Sequence, residues 1–287
     1  MGKISVVINT LNNEDEISKA ISSVRSFADE VVVCDMESSD KTSEIAKKLG
    51  AKVYSHKKER YVELVRNFLV SKATGDWVLV LDPDEELQSS LVKELRKVVN
   101  NPKADYYRIP RKNIIFGKWI KHTNWWPDYN IRFFKKGFVS WNEVIHSVPM
   151  TQGKGMDLKD VEEDAIIHNN YKTISGYFEK MFRYTDAQRD GLLKGGYVFS
   201  WKDLIRKPLE ELLNRYFASN GYKDGVHGLA LSLLQAFSEL VLYLKVWEKQ
   251  GFSEKNLEKS EIKEELNKGT SDVKWWLRKK LSWLRFL

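Results

Sequence analysis

The sequence has little cysteine and lacks the glycine motifs of two large classes of nucleotide-binding protein. Cys34 is the single cysteine among 287 residues. It excludes an internal disulfide framework and a cysteine-built zinc site, and it indicates a reducing compartment. No G-x-G-x-x-G follows the first apolar run, and no G-x-x-x-x-G-K-[ST] occurs anywhere. These absences exclude dinucleotide-dependent dehydrogenases and P-loop ATPases.

The excess of positive over negative charge is concentrated at the C-terminus. The chain carries 47 Lys and Arg against 40 Asp and Glu, a formal net charge of +7. Residues 273–287 contain five basic residues and no acid, so the rest of the chain is close to balanced. Nucleic-acid-binding proteins carry a broad basic footprint. We therefore expect no nucleic-acid partner.

Long hydrophobic runs are absent at the N-terminus and interrupted in the C-terminal half. The opening run, residues 4–8, is too short for a secretory signal, and we expect a cytoplasmic protein. Residues 226–247 are rich in Leu, but Ser232, Gln235 and Glu239 recur along one helical face. A membrane span would carry Glu239 through hydrocarbon at a cost of several kcal/mol. The pattern predicts a packed or interfacial helix rather than a transmembrane one.

Up to about residue 100, short apolar runs alternate with amphipathic stretches, which is typical of parallel strands joined by crossover helices. Strands are predicted at residues 4–8, 31–34, 52–55 and 77–81. The continuous run WVLVL in the fourth strand predicts burial on both faces. Residues 104–168 alternate aromatic and polar side chains, which predicts mixed or antiparallel strands and long loops. After Tyr171 the chain is predicted to be helical.

Acidic residues follow two of the predicted strands. In an open parallel sheet, ligands bind beyond the carboxyl ends of the strands. Asp35 follows the second strand, and Asp82 and Asp84 follow the fourth. Two carboxylates separated by one rigid proline can approach a single hard cation, whose other ligands would be water and the phosphates of a substrate. This arrangement suits a nucleotide diphosphate.

Helix capping is the alternative explanation of the same acids. Asp82 as N-cap, Pro83 at the first helical position and Glu85 two residues later form a good helix start without any ligand. Asp35 and Asp40 lie in a polar loop that also opens a helix. The residues alone leave both interpretations open.

Three segments together resemble the amino-terminal half of family 2 glycosyltransferases with the GT-A fold: SVVINTLNNEDEI, EVVVCDMESSDKTSEIAKKLGAKV and GDWVLVLDPDEEL. The later segments FGKWIKHTNWWPDYNIRFFKK, HNNY and FRYTDAQR are similar to the branch that includes lipopolysaccharide-core β-glucosyltransferase-like proteins. The resemblance covers roughly residues 3–250. It implies an α/β fold with a Rossmann-like, mostly parallel sheet and flanking helices, followed by a helical C-terminal region.

The resemblance and the composition together predict four segments. Residues 1–170 would form the GT-A nucleotide-sugar-binding and catalytic domain, and residues 171–250 a helical region packing on or near the membrane. Residues 251–272 read as a charged linker, or a solvated helix with little to bury. Residues 273–287 would form a separate amphipathic helix.

Carried across position by position, the resemblance implies a nucleotide-sugar site. The residues implied to line it are Thr10, Asn13, Glu14, Asp35, Arg66, Asn67 and Asp82. Asp35 would lie near the nucleobase, and Arg66 and Asn67 would lie beside the diphosphate or the sugar. For Arg66, a solvated position on a helix is an equal alternative. Asp84, assisted by Asp82, would hold Mn²⁺ or Mg²⁺.

The general base is the point at which this sequence departs from the family. Many members of the branch carry His-Glu where WNEVIHSVP here has His146 followed by Ser147. The candidates for the base are therefore Glu143, Asp128 and His146. Trp125 and Trp126 would line the acceptor cleft, although ordinary packing explains a single Trp equally well. His122 and His168 are expected to be structural.

The implied activity is an inverting hexosyl transfer, from a nucleotide-diphosphate sugar to a lipid-linked or cell-surface glycan acceptor. The donor would be a UDP-sugar. The alternative, motivated by Ser147 in place of an acid, is a membrane-peripheral scaffold of the same fold that binds nucleotide without turnover. A sugar nucleotidyltransferase is disfavoured because its Gly-rich entrance loop is absent.

The last fifteen residues form an amphipathic pattern on a helical wheel. The apolar face carries Val273, Trp276, Leu277, Leu281, Trp283, Leu284 and Leu287. Lys274, Arg278 and Arg285 lie opposite. This pattern predicts an in-plane anchor on an anionic membrane, which would place the protein on the inner face of the cell membrane. Docking of the helix onto its own domain or a partner is the alternative.

Overall fold

The structure, a computed structural model, describes residues 2–59, 63–141 and 149–280. The chain divides into two compact units. The first unit comprises Met1–Ile114 and Trp126–Asn170, and the second comprises Ile115–Trp125 and Tyr171–Leu287. The division falls after Asn170, and the short segment 115–125 belongs to the second unit.

The strands are β1 (Ile4–Thr10), β2 (Glu30–Asp35), β3 (Lys52–Ser55), β4 (Trp77–Leu81), β5 (Glu85–Leu87), β6 (Tyr106–Ile115), β7 (Lys118–Trp119), β8 (Asp128–Lys135), β9 (Val139–Ser140), β10 (Met150–Thr151), β11 (Gly155–Asp157) and β12 (Ile166–Tyr171). The α-helices are α1 (Ile17–Val24), α2 (Thr42–Lys48), α3 (Glu63–Lys72), α4 (Ser89–Asn100), α5 (Ile174–Lys194), α6 (Asp203–Leu213), α7 (Val226–Lys249) and α8 (Lys259–Lys280). The four strands and the helical C-terminal region predicted from the sequence are confirmed.

The main sheet has the order β3-β2-β1-β4-β8-β6-β12-β5. The first four strands in this order are parallel to one another. Beyond them β8 is antiparallel to both β4 and β6, and β12 is antiparallel to β5. The sheet is therefore mixed: β1 to β4 are parallel, and β11 also pairs with β6 in parallel. The antiparallel strands predicted within residues 104–168 are confirmed.

Both faces of the parallel strands are buried, as the run WVLVL predicts. Val6 and Leu79 belong to one apolar cluster with residues of α1 and α4. Val7 and Val80 point to the other face, into a cluster with residues of α3. This alternation follows from the two-residue period of a strand. Helices packed on both faces therefore fix the position of the parallel strands and of their carboxyl ends.

Glu30, at the start of β2, joins three neighbouring segments. Its carboxylate accepts hydrogen bonds from Ser5 Oγ (2.6 Å), the Thr74 backbone N–H (2.6 Å) and Lys52 Nζ (2.7 Å). Burial alone would raise the pKa of Glu30, but these bonds outweigh burial and lower its pKa from 4.5 to about 2. A carboxyl with a lowered pKa stabilises the fold above its unfolded-state pKa and loses that contribution as the pH falls.

Glu30→Gln is therefore expected to flatten the pH dependence of stability between about pH 5 and pH 2. Urea unfolding at a series of pH values measures this as a smaller fall in the free energy of unfolding than in the wild type. Glu44→Gln is the matched control, since Glu44 pairs with Lys48 on an exposed helix surface. An unchanged slope in Glu30→Gln would contradict the assignment.

In the second unit, α5 and α7 enclose an apolar cluster that includes Tyr177, Met181 and Leu231. Among the described helices, α7 is the one long and apolar enough to cross a membrane, with a mean hydropathy of 1.5 over its best 18-residue window. A third of that window is buried within the protein (33%). A packed or interfacial rather than a transmembrane helix therefore stays a prediction.

The C-terminal region differs from the predicted linker and separate helix. Residues 259–280 form one helix, α8, so the expected boundary at 272 falls inside it. Glu265 is 2% exposed, and both of its oxygens accept hydrogen bonds from Arg206 of α6. Trp276 stacks on Phe217 with ring centroids 6.1 Å apart. A linker is wrong for residues 259–272, because these residues are helical and the buried Glu265 bonds the half-exposed Arg206 of α6.

Candidate active site

The carboxyl ends of β1, β2 and β4 form one edge of the parallel sheet. β1 lies between the other two strands, with Thr10 opposite Asp35 and Ile8 opposite Leu81. Because neighbouring strands are spaced by about 4.8 Å, Asp35 and the residue after Leu81 are separated by about 10 Å across the sheet. The acids predicted to act together therefore emerge on the same edge of the first unit.

The loops that follow β1 and β2 are tied together by polar side chains. Asn13 Oδ1 accepts hydrogen bonds from Thr10 Oγ1 (3.0 Å) and the Leu11 backbone N–H (3.1 Å). The backbone N–H of Lys41 donates to Glu14 Oε2 (3.0 Å), and the N–H of Glu14 donates to Asp40 Oδ2 (3.1 Å). The side chains of Asn13 and Glu14 therefore hold the loops after β1 and β2 in place.

Asp35 carries a buried acceptor atom. Its side chain is 7% exposed, and Oδ2 accepts a hydrogen bond from the Ser38 backbone N–H at 3.3 Å. Oδ1 has no hydrogen-bond partner in the part of the chain that the structure describes. A buried acceptor without a donor costs about 1–3 kcal/mol. A ligand that offers an N–H or O–H group at this position would remove that cost.

Asp82 is held by two arginines. Arg132 Nη2 lies 2.5 Å from Asp82 Oδ2, and Arg66 Nη2 lies 3.4 Å from Oδ1. Burial raises the pKa of Asp82, but Arg132 and Arg66 outweigh burial and hold the pKa well below its usual range. Asp82 is therefore an anion whose charge is already balanced by the protein.

The helix-cap explanation of Asp82 is wrong. The residues after Pro83 form strand β5, and the next helix begins at Ser89. Glu85 is fully buried, and its Oε2 accepts a hydrogen bond from the backbone N–H of Asp82 (2.9 Å). The tripeptide Asp-Pro-Asp thus forms a turn between two strands, and both carboxylates belong to the edge of the sheet.

Arg132 and Arg111 connect the acids into one network. Glu85 Oε1 accepts hydrogen bonds from Arg132 Nη2 (2.6 Å) and Arg111 Nη1 (3.3 Å). Arg111 also donates to Asp128 Oδ2 from Nε (2.9 Å). Sequence reasoning missed Glu85, Arg111 and Arg132. Arg132 is buried in strand β8, next to Phe133 in the sequence. A charged residue within this apolar stretch is the sequence feature that could have indicated a buried ion pair.

Asp128 is poorly suited to act as a general base. Its carboxylate accepts hydrogen bonds from Arg111, from Asn113 Nδ2 (3.0 Å) and from Asn130 Nδ2 (3.0 Å). Burial raises the pKa of Asp128, but Arg111 and Asn113 outweigh burial and lower it. A general base needs a pKa near the working pH. The prediction that named Asp128 as a base candidate conflicts with this arrangement.

His168 links this network to Asp84. Because Asn113 donates from Nδ2 to Asp128, its carbonyl Oδ1 faces His168 Nδ1 at 2.7 Å, and Nδ1 must carry the proton. His168 Nε2 then points toward Asp84 Oδ2 at 3.6 Å. His168 is 7% exposed. The hydrogen bond of Nδ1 to Asn113 agrees with the expected structural role of His168. The approach of Nε2 to Asp84 was not predicted from the sequence.

A divalent cation fits Asp84 and His168 better than Asp82. Nε2 of the singly protonated imidazole and a carboxylate oxygen are suitable ligands for Mn²⁺. Both oxygens of Asp82 are instead bonded to arginines. No third acidic, histidine or cysteine side chain joins this pair among residues 2–59, 63–141 and 149–280.

Arg66 and Asn67 lie next to each other on α3 with different contacts. Asn67 exchanges two hydrogen bonds with the backbone of Trp141, from Nδ2 to the carbonyl (2.7 Å) and from the N–H to Oδ1 (2.9 Å). Its amide therefore fixes the chain at residue 141. Arg66 lies over the Trp141 ring at 5.6 Å, and its buried Nε has no hydrogen-bond acceptor within the described ranges.

Four predicted residues stay without a structural test. Glu143 and His146 lie outside the described residues. Trp125 belongs to the second unit, where its ring meets Tyr171 edge-on at 6.2 Å. Trp126 belongs to the first unit and is partly buried. The roles of these residues as bases or as acceptor contacts therefore remain predictions.

The sequence was compared with protein families and with known proteins. The family described as Glycosyl transferase family 2 matches residues 5–155. An uncharacterized glycosyltransferase of Rickettsia typhi is 31% identical over 259 residues, covering 86% of this chain and 88% of the relative. One from Rickettsia conorii is 30% identical over 276 residues, covering 92% and 96%.

Solved structures were compared in the same way. TarS of S. aureus in complex with UDP-GlcNAc aligns with a TM-score of 0.46 and 17% identity, covering 87% of this chain and 92% of that chain. Glucosyl-3-phosphoglycerate synthase of Mycobacterium tuberculosis, in complex with Mn²⁺, UDP-glucose and phosphoglyceric acid, aligns with a TM-score of 0.33 and 24% identity. That alignment covers 39% of this chain and 44% of the synthase.

Proposed function

The chain belongs to glycosyl transferase family 2, and on that premise we propose that it moves a hexose from a UDP-sugar to a lipid-linked or cell-surface glycan acceptor, with inversion at the anomeric carbon. One observation carries the proposal. The same sheet edge presents the buried, unpartnered oxygen of Asp35 and, about 10 Å away across the strands, the segment that bears Asp84 beside His168.

The nucleoside would contact Asp35. A base N–H or a ribose hydroxyl could donate to Oδ1, which has no donor among the residues described. The diphosphate would contact Arg66, whose buried Nε offers a donor without an acceptor. A guanidinium is well suited to phosphate oxygens because its donors form a planar fork. Thr10, Asn13 and Glu14 support this proposal as the rim that holds the loops in place.

We propose Asp84 and His168 as the protein ligands of Mn²⁺ or Mg²⁺, with Asp82 held beside them by Arg132. When bound, such a cation would stabilise the negative charge on the departing diphosphate. The proton on His168 Nδ1 is held by Asn113, which keeps Nε2 available toward Asp84. Asp128 fixes Asn113 in turn and so acts as a positioning residue.

The general base is proposed to lie in residues 142–148, with Glu143 and His146 as candidates. Asp128 has a lowered pKa and three donors, so it would accept a proton poorly at neutral pH. Asn67 supports this proposal because it anchors Trp141, the residue that immediately precedes the segment. The base would accept the proton of the acceptor hydroxyl as that hydroxyl attacks the anomeric carbon.

Thermal unfolding with a panel of nucleotides tests the donor site. UDP with Mn²⁺ is expected to raise the melting temperature of the full chain, since a ligand at 100 times its Kd stabilises the native state by about 2.7 kcal/mol. Asp35→Asn should reduce the shift with UDP. Asp76→Asn, at the opposite end of β4, is the control and should keep it. The proposal fails if no nucleotide shifts the transition or if Asp35→Asn responds like the wild type.

A membrane location on the cytoplasmic side is a separate proposal. In the described part of the C-terminal helix, Trp275 is 52% exposed and Lys279 Nζ lies 4.4 Å from its ring. Arg278 and Lys280 add positive charge. These side chains suit an anionic head-group region. Trp276, which the sequence predicted on the membrane-facing side, instead packs on Phe217.

A further inference from the structure

The outward face of α7 is apolar along most of the helix. Between residues 226 and 244 the exposed residues are Val226 (80% exposed), Leu229 (42%), Leu233 (50%), Phe237 (44%) and Leu244 (37%). They recur at spacings of three, four and seven, so they lie on one side of the helix. No polar side chain interrupts them on that side.

Three polar residues of α7 point inward, whereas Glu248 and Lys249 at its C-terminal end are exposed. Ser232 is fully buried and donates to the Gly228 carbonyl (2.7 Å). Gln235 Nε2 donates to Tyr177 Oη (2.8 Å). Lys245 Nζ donates to the Phe182 carbonyl and to Asp186 Oδ1, both at 2.9 Å. Leu231, Leu242 and Val246 of α7 are buried as well, so the unusual feature is the outward face, which is polar on an ordinary surface helix. In water the exposed apolar face would be unfavourable.

Helix α5 extends this surface. Phe178 of α5 meets Phe237 of α7 edge-on, with ring centroids 5.9 Å apart. Phe182, one turn further along α5, is 49% exposed. We define the α5–α7 apolar face as Phe178, Phe182, Leu229, Leu233, Phe237 and Leu244. A contiguous exposed apolar surface built from two helices is typical of an interaction site rather than of a solvated surface.

Positive charge collects where the two helices begin. The lysines exposed at this end are Lys118, Lys121, Lys172 and Lys223. Lys118 Nζ donates to the Asp224 carbonyl (2.8 Å), which places it two residues before α7. Asp224 itself is 4% exposed and accepts a hydrogen bond from the His122 backbone N–H (2.8 Å). Its carboxylate therefore faces the protein, and the exposed charge at this end is positive.

The combination of an apolar face with lysines at one end matches an anionic lipid surface. Amphipathic helices that lie in a membrane interface place apolar side chains among the acyl chains and cations among the head groups. Across the start of α5, Lys180 and Arg183 outnumber Glu179. In a contact with a second copy of the chain, the same lysines would meet one another and would outnumber Glu179.

The helix cannot cross the membrane in this arrangement. Its inward side packs on α5 and α6, and α5 carries Glu179, Arg183 and Arg189, which would have to enter hydrocarbon with it. The structure therefore favours immersion by one face. The 24 residues of α7 would lie along the surface.

We propose that the α5–α7 apolar face docks this protein on an anionic phospholipid membrane, with Leu229, Leu233 and Phe237 inserted about 5–10 Å into the boundary between head groups and acyl chains. This surface is distinct from the C-terminal helix. It also does not depend on glycosyl transfer, because it can be measured without any donor.

Vesicle binding of the full chain tests the surface. We expect stronger partition into vesicles of phosphatidylglycerol and phosphatidylethanolamine than into phosphatidylcholine. Leu233→Gln with Phe237→Gln should lower that partition by about tenfold, because two large apolar groups no longer enter lipid. Met150→Gln with Val161→Gln is the matched control, since both residues are exposed and belong to the first unit. An unchanged partition of the first pair would overturn the proposal.

Charge reversal tests the lysines. Lys121→Glu with Lys223→Glu should weaken binding to the anionic vesicles more than Lys93→Glu with Lys97→Glu, which makes the same change of charge on α4. Equal effects of the two pairs would show that vesicle binding depends only on net charge. That result would overturn the proposal that the lysines at the N-terminal ends of α5 and α7 contact the membrane.

A depth measurement separates this face from the C-terminal helix. A polarity-sensitive fluorophore at Leu233→Cys should shift to the blue on vesicles and be quenched by brominated acyl chains. The same label at Val161→Cys should not be quenched. An unquenched label at position 233 on vesicle-bound protein would overturn the proposal. So would sedimentation velocity that shows a dimer lost in Leu233→Gln with Phe237→Gln, because a second copy would then cover the face.

Discussion

Asp84→Asn is expected to lower the rate of UDP-sugar turnover by at least about a hundredfold, with hydrolysis or transfer followed by release of UDP. The substitution keeps the shape of the side chain and removes its charge. Asp82 cannot replace that charge at the same place, because Arg132 and Arg66 already balance its own. The loss should therefore exceed the loss produced by any single neutral substitution on the rim of the pocket.

The controls for Asp84→Asn separate chemistry from folding. Asp157→Asn, which removes an exposed partner of Arg108, should keep full activity. Far-UV circular dichroism and the melting temperature of Asp84→Asn should stay close to the wild type. Turnover that survives both removal of divalent metal by a chelator and the Asp84→Asn substitution would refute the proposed cation site.

The same measurements distinguish the enzyme from a scaffold that has lost its base. A wild-type chain that binds UDP with Mn²⁺ but turns over no acceptor or water would favour the scaffold. In that case Glu143→Gln and His146→Gln would change nothing further. If the wild type is active, whichever of these two variants loses more activity identifies the base.

The parallel part of the fold could be predicted because its signals are local. Each strand from β1 to β4 is a short apolar run in the sequence, and the acids that follow β2 and β4 are adjacent to those runs. Crossover helices then force the strands to be parallel, so the ends that carry Asp35 and Asp82 had to meet at one edge. No knowledge of distant pairings was needed for this step.

The charged network could not be predicted because its members meet only through long-range pairing. Arg132 reaches Glu85 across 47 positions, and His168 reaches Asn113 across 55. These contacts depend on β8 lying beside β4, which no local pattern specifies. The sequence therefore offers Glu85 as a residue of a possible helix start and Asp128 as one of three base candidates, whereas both are partners of arginines.

Periodicity in α7 specified a polar stripe and an apolar stripe but not which of them faces the protein. Ser232 and Gln235 were correctly placed on one side, and the structure turns that side inward. In α8, Glu265 appears in the sequence as one of many charged surface residues. Its burial depends on Arg206, 59 positions away, and that pairing changes a linker into a docked helix.

Arg132→Met is expected to lower the free energy of unfolding by about 3–5 kcal/mol, the usual cost of removing one partner from a buried ion pair. Arg132 is 3% exposed and lies within 2.6 Å of both Asp82 and the fully buried Glu85. Met has a similar volume, so the cavity contribution is small. The substitution leaves the buried Glu85 3.3 Å from Arg111 and the partly buried Asp82 3.4 Å from Arg66.

Arg108→Met is the matched control, because Arg108 also bonds a carboxylate at 2.5 Å but is half exposed. It should cost no more than about 1 kcal/mol, as surface ion pairs do. Urea unfolding of the two variants in parallel measures the difference. Equal losses of unfolding free energy in the two variants would show that burial does not determine how much Arg132 contributes to stability. A double variant, Arg132→Met with Glu85→Gln, should recover part of the loss because one buried charge is removed.

The pH dependence of Arg132→Met provides an independent check on the same network. In the wild type the pKa of Asp82 is held low by Arg132 after burial has raised it, so this carboxylate stabilises the fold at neutral pH and loses that effect as the pH falls. Without Arg132, burial dominates and the pKa of Asp82 should rise above its unfolded value. As the pH falls toward 5, protonation of Asp82 relieves the variant, whereas the wild type keeps the contribution of this carboxylate until the pH approaches its unfolded-state pKa of about 3.9. The gap in unfolding free energy should narrow from pH 7 toward pH 5, and a constant gap would mean that packing alone, rather than charge, accounts for the loss.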